Sequence, residues 1–189
     1  MYIKIFTMLS LISTFSCSSL NRRTITAADL LGVNDPIKFD NSLFFLVWAA
    51  KPQPNYTKQE YLPKGETLDR YSRMILIENF NGKITPENAV ASKVNELQQR
   101  KSFDPTVNFE IIKSESTSEY AIDFIIWSEK QNIVEWNIYR YRPTKSGIAL
   151  FGLSLRAYDY DQKKFLSNLR FTRIKYIVEF SKSEFPIIN

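Results

Sequence analysis

Period-two alternation dominates the second half of the chain. Val134, Trp136 and Ile138 share one side of a strand-like run, and in a later run Ala149, Phe151, Leu153, Leu155 and Ala157 share one, leaving Ile148, Leu150, Ser154, Arg156 and Tyr158 on the other. Four such runs, Asn108 to Lys113, Glu119 to Glu129, Asn132 to Arg142 and Gly147 to Tyr158, are joined by the short polar links SEST, KQ and PTKS. Links of that length favour antiparallel hairpins, so a meander is expected. Earlier in the chain, LFFLVWAAK (Leu43 to Lys51) and RMILIENFNG (Arg73 to Gly82) are short apolar runs bounded by turn residues and read as two more strands.

Helical periodicity occurs twice. Thr85, Pro86 and Glu87 give an N-cap, a proline at the first helical position and an acid beside the positive end of the helix dipole. Val90, Val94 and Leu97 then recur along one face, and Asp104-Pro105 stops the helix. The final segment begins near Asp159 or Asp161 and ends before Pro186; Phe165, Leu166, Leu169, Tyr176, Ile177 and Phe180 form its apolar stripe. Phe171, Ile174 and Val178 fall on the opposite side, where the choice is between core contact under the N-terminal segment and a surface for a partner. The order strand, strand, helix, four strands, helix predicts an α+β fold, an antiparallel sheet of about six strands packed with two main helices; an NTF2-like cone is the alternative.

Between the first two strands lies EYLPKGETLDRYSRMI, Glu60 to Ile75. Pro63-Lys64-Gly65 is turn chemistry, Glu66, Thr67 and Asp69 suit a single helical turn, and Leu68, Tyr71 and Met74 are expected to face the core. Glu60-Tyr61-Leu62-Pro63, Gly65-Glu66-Thr67-Leu68, Tyr71-Ser72 and Met74 resemble the signature of an uncharacterised family of exported proteobacterial (lipo)proteins, with Tyr71 standing where that group has Trp. The resemblance implies a PsbP/Mog1-like α-β-α sandwich, and it brings no reaction with it.

The N-terminus changes the picture of location. MYIKIFTMLSLISTFSCSSL carries Lys4, an apolar run from Ile5 to Phe15, and small residues around Cys17. The run has the length of a signal-peptide core and is short for a bilayer span. Ser16-Cys17 resembles the end of a bacterial lipobox, which would make Cys17 a lipidated N-terminus that anchors the chain in a membrane; cleavage near Ser16 or Ser18 would instead release a soluble periplasmic or secreted protein. The expected organisation is a signal segment over 1–17, a flexible spacer over 18–42 and one domain over 43–189.

Composition narrows the chemistry. The 189 residues contain no histidine and one cysteine, so Ser-His-Asp and Cys-His centres, His-based metal sites and internal disulfides are excluded for this sequence. No cofactor or metal is expected, and an enzyme is the less favoured class. The net charge of +5 arises from 25 cations interleaved with 20 acids, which reads as a solvated surface with no nucleic-acid partner. Candidate ligand residues are Asp123, Arg140 and Arg156, which could hold an anion if their strands are neighbours. Lys163, Lys164, Arg170, Lys175 and Lys182 on the final helix could meet acidic headgroups near a membrane. The expected function is a non-catalytic cell-envelope protein acting through an envelope protein partner, with a small-ligand or lipid-binding module as the alternative.

Overall fold

The computed structural model describes residues 27–114 and 117–188. The chain forms β1 (Ile37–Phe39), β2 (Ser42–Gln53), β3 (Tyr56–Pro63), β4 (Arg73–Asn81), α1 (Pro86–Arg100), β5 (Asn108–Lys113), β6 (Tyr120–Ser128), β7 (Ile133–Pro143), β8 (Gly147–Tyr158), a single 3-10 turn (Asp159–Asp161) and α2 (Gln162–Lys182). All strands join one antiparallel sheet in the order β1-β2-β3-β4-β8-β7-β6-β5. Each half of the chain is therefore a four-strand meander followed by a helix, and the halves meet along β4 and β8.

That register sorts the side chains onto two faces. Ile75, Ile77, Trp136, Ile138, Phe151 and Leu153 pack with Leu169 and Phe180 of α2. Their alternating neighbours Leu76, Ile122, Phe124, Ile148 and Leu150 pack with Ala89, Val90 and Leu97 of α1. Helices on opposite faces give an α+β fold of three layers, where a cone would cover its sheet from one side. The sheet has eight strands, two more than expected, because β1 and β3 escape the hydrophobic pattern. In β3 the buried positions Thr57 and Gln59 are polar. In β1 three residues are enough, since Asp40 and Asn41 both adopt positive φ (43° and 56°), the pair of conformations that a two-residue hairpin turn with the right twist requires.

The fold also starts before residue 43. Val33, Ile37 and Phe39 are buried in the α2-side core, and the Gln59 side-chain carbonyl accepts from the backbone N–H of Leu30 (2.5 Å) and Leu31 (2.9 Å). The latter part of the expected spacer over 18–42 is thus core and edge strand, held because burying three apolar side chains removes them from water.

Helix α1 begins as expected: Thr85 Oγ1 accepts from the Asn88 N–H at 3.2 Å, and Asp104 receives Arg100 Nε at 2.8 Å just after the last turn. The connector after β3 is a bridged turn between Thr67 and Arg70 with Gly65 at φ 90°. The Glu66 carboxylate accepts from Ser72 N–H (2.9 Å) and Ser72 Oγ (2.6 Å) and so closes the loop. Tyr71 and Met74 are buried with Leu62, whereas Leu68 is exposed rather than facing the core. Gly147 opens β8 because a Cβ there would lie 2.0 Å from the Phe80 carbonyl oxygen.

Candidate functional site

The strand register separates the three residues expected to share an anion. Asp123 lies opposite Ile138, on the α2 face, as does Arg140; Arg156 alternates with Leu155 and lies on the α1 face. Each is already engaged. Asp123 is 2% exposed and accepts from Arg173 Nε (2.6 Å), Arg173 Nη2 (2.8 Å) and Trp136 Nε1 (3.2 Å). Arg173 also reaches Glu110 at 2.7 Å, so these groups tether the middle of α2 to β5, β6 and β7. Arg140 donates to Glu119 (2.6 Å) and to the Ser183 carbonyl at the end of α2 (3.1 Å). Arg156 donates to Glu135 at 2.5 Å and lies 4.0 Å above the Tyr71 ring, while Tyr71 donates its hydroxyl to the same carboxylate at 2.9 Å. Burial, followed by the charge of Glu135, pushes the Tyr71 phenol well above its ordinary range, which keeps it a neutral donor.

The α1 face carries further polar groups. Lys58 bridges Glu60 (2.8 Å) and Glu78 (3.7 Å). Burial raises Glu78 above the usual carboxylate range even though Lys58 and Lys93 pull it down. At the centre of the sheet Ser154 donates to Asn137 Oδ1 at 2.5 Å, and Asn137 Nδ2 is buried without a hydrogen-bond partner.

A small pocket lies on the other face, at the end of the chain. After α2 the tail turns back over β7 and β8: Phe185 stacks on Phe151 (4.7 Å between ring centres) and meets Phe180 at 4.9 Å, and Ile188 is buried. Under this tail lies a pocket of about 200 Å³ lined by Arg142, Pro143, Thr144, Lys145, Ala149, Phe151, Pro186, Ile187 and Ile188. Its floor is apolar and its rim cationic. Arg142 sits 5.5 Å from the Phe151 ring centre and shares Glu119 with Arg140, its Nε donating at 2.6 Å. Burial opposes ionisation of Glu119, but the hydrogen bonds from Arg140 and Arg142 outweigh it and hold the carboxyl below its usual range. Thr144 Oγ1 is buried at the atom level and has no hydrogen-bond partner among the described residues. Polar and apolar groups so arranged suit a small molecule with an anionic head and a short apolar body.

Sequence reasoning passed over this pocket because PTKS reads as an ordinary hairpin link. The available signal was the apolar FPII after the helix, which has no reason to be apolar unless the tail returns to the sheet.

On α2, Phe165, Leu169, Tyr176, Ile177 and Phe180 face the core as the stripe requires, while Leu166 is exposed. Phe171, Ile174 and Val178 are 83%, 61% and 43% exposed, with no described residue packed over them. A shallow apolar groove lined by Leu155, Phe165, Asn168, Leu169, Phe171, Thr172 and Tyr176 runs beside it. Cys17 and the whole of the expected signal segment over 1–17 lie outside the described residues. Among the described residues no cluster of His, Cys, Asp and Glu could hold a metal ion, and no helix is long and apolar enough to cross a membrane.

A protein-family model matches residues 31–185 of the chain. The chain belongs to that family, whose span takes in every strand and both helices. No curated protein and no solved structure matches it.

Proposed function

We propose that this chain is a non-catalytic binding domain of the bacterial cell envelope that takes a small amphipathic anion under its C-terminal tail. One observation carries the reading: Arg142 and Lys145 line the pocket together with an apolar floor of Ala149, Phe151 and Ile188. A carboxylate head would meet Lys145 and the part of the Arg142 guanidinium that Glu119 leaves free, while its apolar body covers Phe151. The envelope assignment rests on the signal-like N-terminus, with Cys17 as the lipid-bearing residue and a cleaved, released form as the alternative. The three-layer fold supports placing the family in the PsbP/Mog1-like class.

The test is calorimetric titration of the chain with octanoate and with octyltrimethylammonium. Octanoate should bind, and Lys145→Gln should weaken it by about fivefold, as expected for loss of one partly exposed charge contact. Equal binding of the cationic amphiphile, or no binding of octanoate, would remove the reading.

A further inference from the structure

The outer face of α2 is apolar along its middle and basic along its sides. Phe171, Ile174 and Val178 recur at i, i+3 and i+7 and form one stripe, exposed along its whole length. By helical position Lys164, Lys175 and Lys182 flank the stripe on one side, and Lys163 and Arg170 flank it on the other; all five are exposed. The acids on and around the helix are few. Glu179 and Asp40 both lie near Lys175, at 3.6 and 3.7 Å, Asp159 and Asp161 precede the first turn, and Glu184 follows the last. Lys163, Lys164, Arg170 and Lys182 carry no ion pair among the described residues.

Exposed apolar surface is also concentrated here. Of the exposed large hydrophobic residues among those described, Tyr160, Leu166, Phe171, Ile174 and Val178 all lie on α2 or just before it. The inward side is fixed by Leu169, Phe180 and the Arg173–Asp123 pair, so the helix cannot roll to hide the stripe. An apolar ridge of this kind between rows of cations is complementary to an anionic lipid surface: the ridge enters the acyl boundary while lysines reach the headgroups. A protein partner of ordinary mixed charge would leave those cations unmatched.

We infer that the outer face of α2 docks on an anionic lipid surface, with the helix axis in the membrane plane and Phe171 and Ile174 as the inserted residues. The pocket under the tail takes no part, so this inference stands or falls separately from the proposed ligand. Where Cys17 bears a lipid, the same face would set how the domain lies against the bilayer.

The test uses the full chain carrying Cys17→Ser, which removes the lipid site and leaves the chain free of cysteine. In sedimentation with vesicles, the chain should bind phosphatidylcholine containing about 30 mol% phosphatidylglycerol and release at high salt, and bind pure phosphatidylcholine weakly. Phe171→Ser with Ile174→Ser, and separately Lys163→Gln with Lys164→Gln and Arg170→Gln, should each lower that binding at least about tenfold with an unchanged urea midpoint. Because the N-terminal segment could itself hold vesicles, contact is also read directly. An environment-sensitive fluorophore at Ile174→Cys should shift to the blue on anionic vesicles, while the same label at Ile111→Cys on β5 should not. An unshifted label at Ile174→Cys overturns the inference. So does light scattering that shows a dimer which Phe171→Ser with Ile174→Ser turns into a monomer, since the occupant would then be a second copy.

Discussion

Glu119 shows how much one side chain can organise here. It precedes β6, is 15% exposed at the side chain, and binds Arg140 with one oxygen and Arg142 with the other. Its folded-state pKa is lowered, so it favours the fold while ionised: the contribution is fully present above the ordinary carboxylate value and is lost as the pH falls through the lowered folded value. Glu119→Gln should therefore cost about 1–3 kcal/mol near neutral pH, and the difference from the parent should shrink at about pH 3; urea unfolding at the two pH values measures it. An unchanging difference would mean that packing, not charge, is what Glu119 supplies. This role was not legible in the sequence. Arg140 and Arg142 sit on one side of their strand, as alternation requires, but their acid comes from the link before the neighbouring strand, which no spacing within β7 reveals.

At the scale of elements, legibility followed the hydrophobic pattern. The runs assigned to β5 through β8 and to α1 coincide closely with the observed elements: apolar residues dominate β6, β7 and β8 despite the buried Asp123, Glu135, Asn137 and Ser154, and the caps of α1 are explicit. β1 and β3 were lost where inward positions are polar or the strand is short. In α2 the apolar stripe was visible, but Arg173 was not recognisable as an inward residue, since its acid partner lies on β6. Asp123 was accordingly read as a ligand for an anion, when it is the acceptor that fixes α2 to the sheet. Arg173→Met should lower stability by about 3–5 kcal/mol in urea unfolding, because the nearly inaccessible Asp123 carboxylate would lose its cation. A loss below about 1 kcal/mol would show that Trp136 alone satisfies Asp123.

The whole molecule joins two meanders through one ladder, with Arg73 to Asn81 pairing Leu155 to Gly147. Across that ladder lie the buried residues Ile75, Ile77, Phe151 and Leu153. β4 must therefore wait for a partner almost seventy residues further along, the separation between Asn81 and Gly147 being 66 positions. Any process that feeds the chain out amino end first leaves β4 as a bare apolar edge through the whole interval, open to pairing with the same edge of another chain. The last strand to appear is thus also the guard against self-association. A fragment ending at Pro105 should form oligomers in light scattering where the full chain does not, and a monomeric fragment would show that α1 alone can shield that edge.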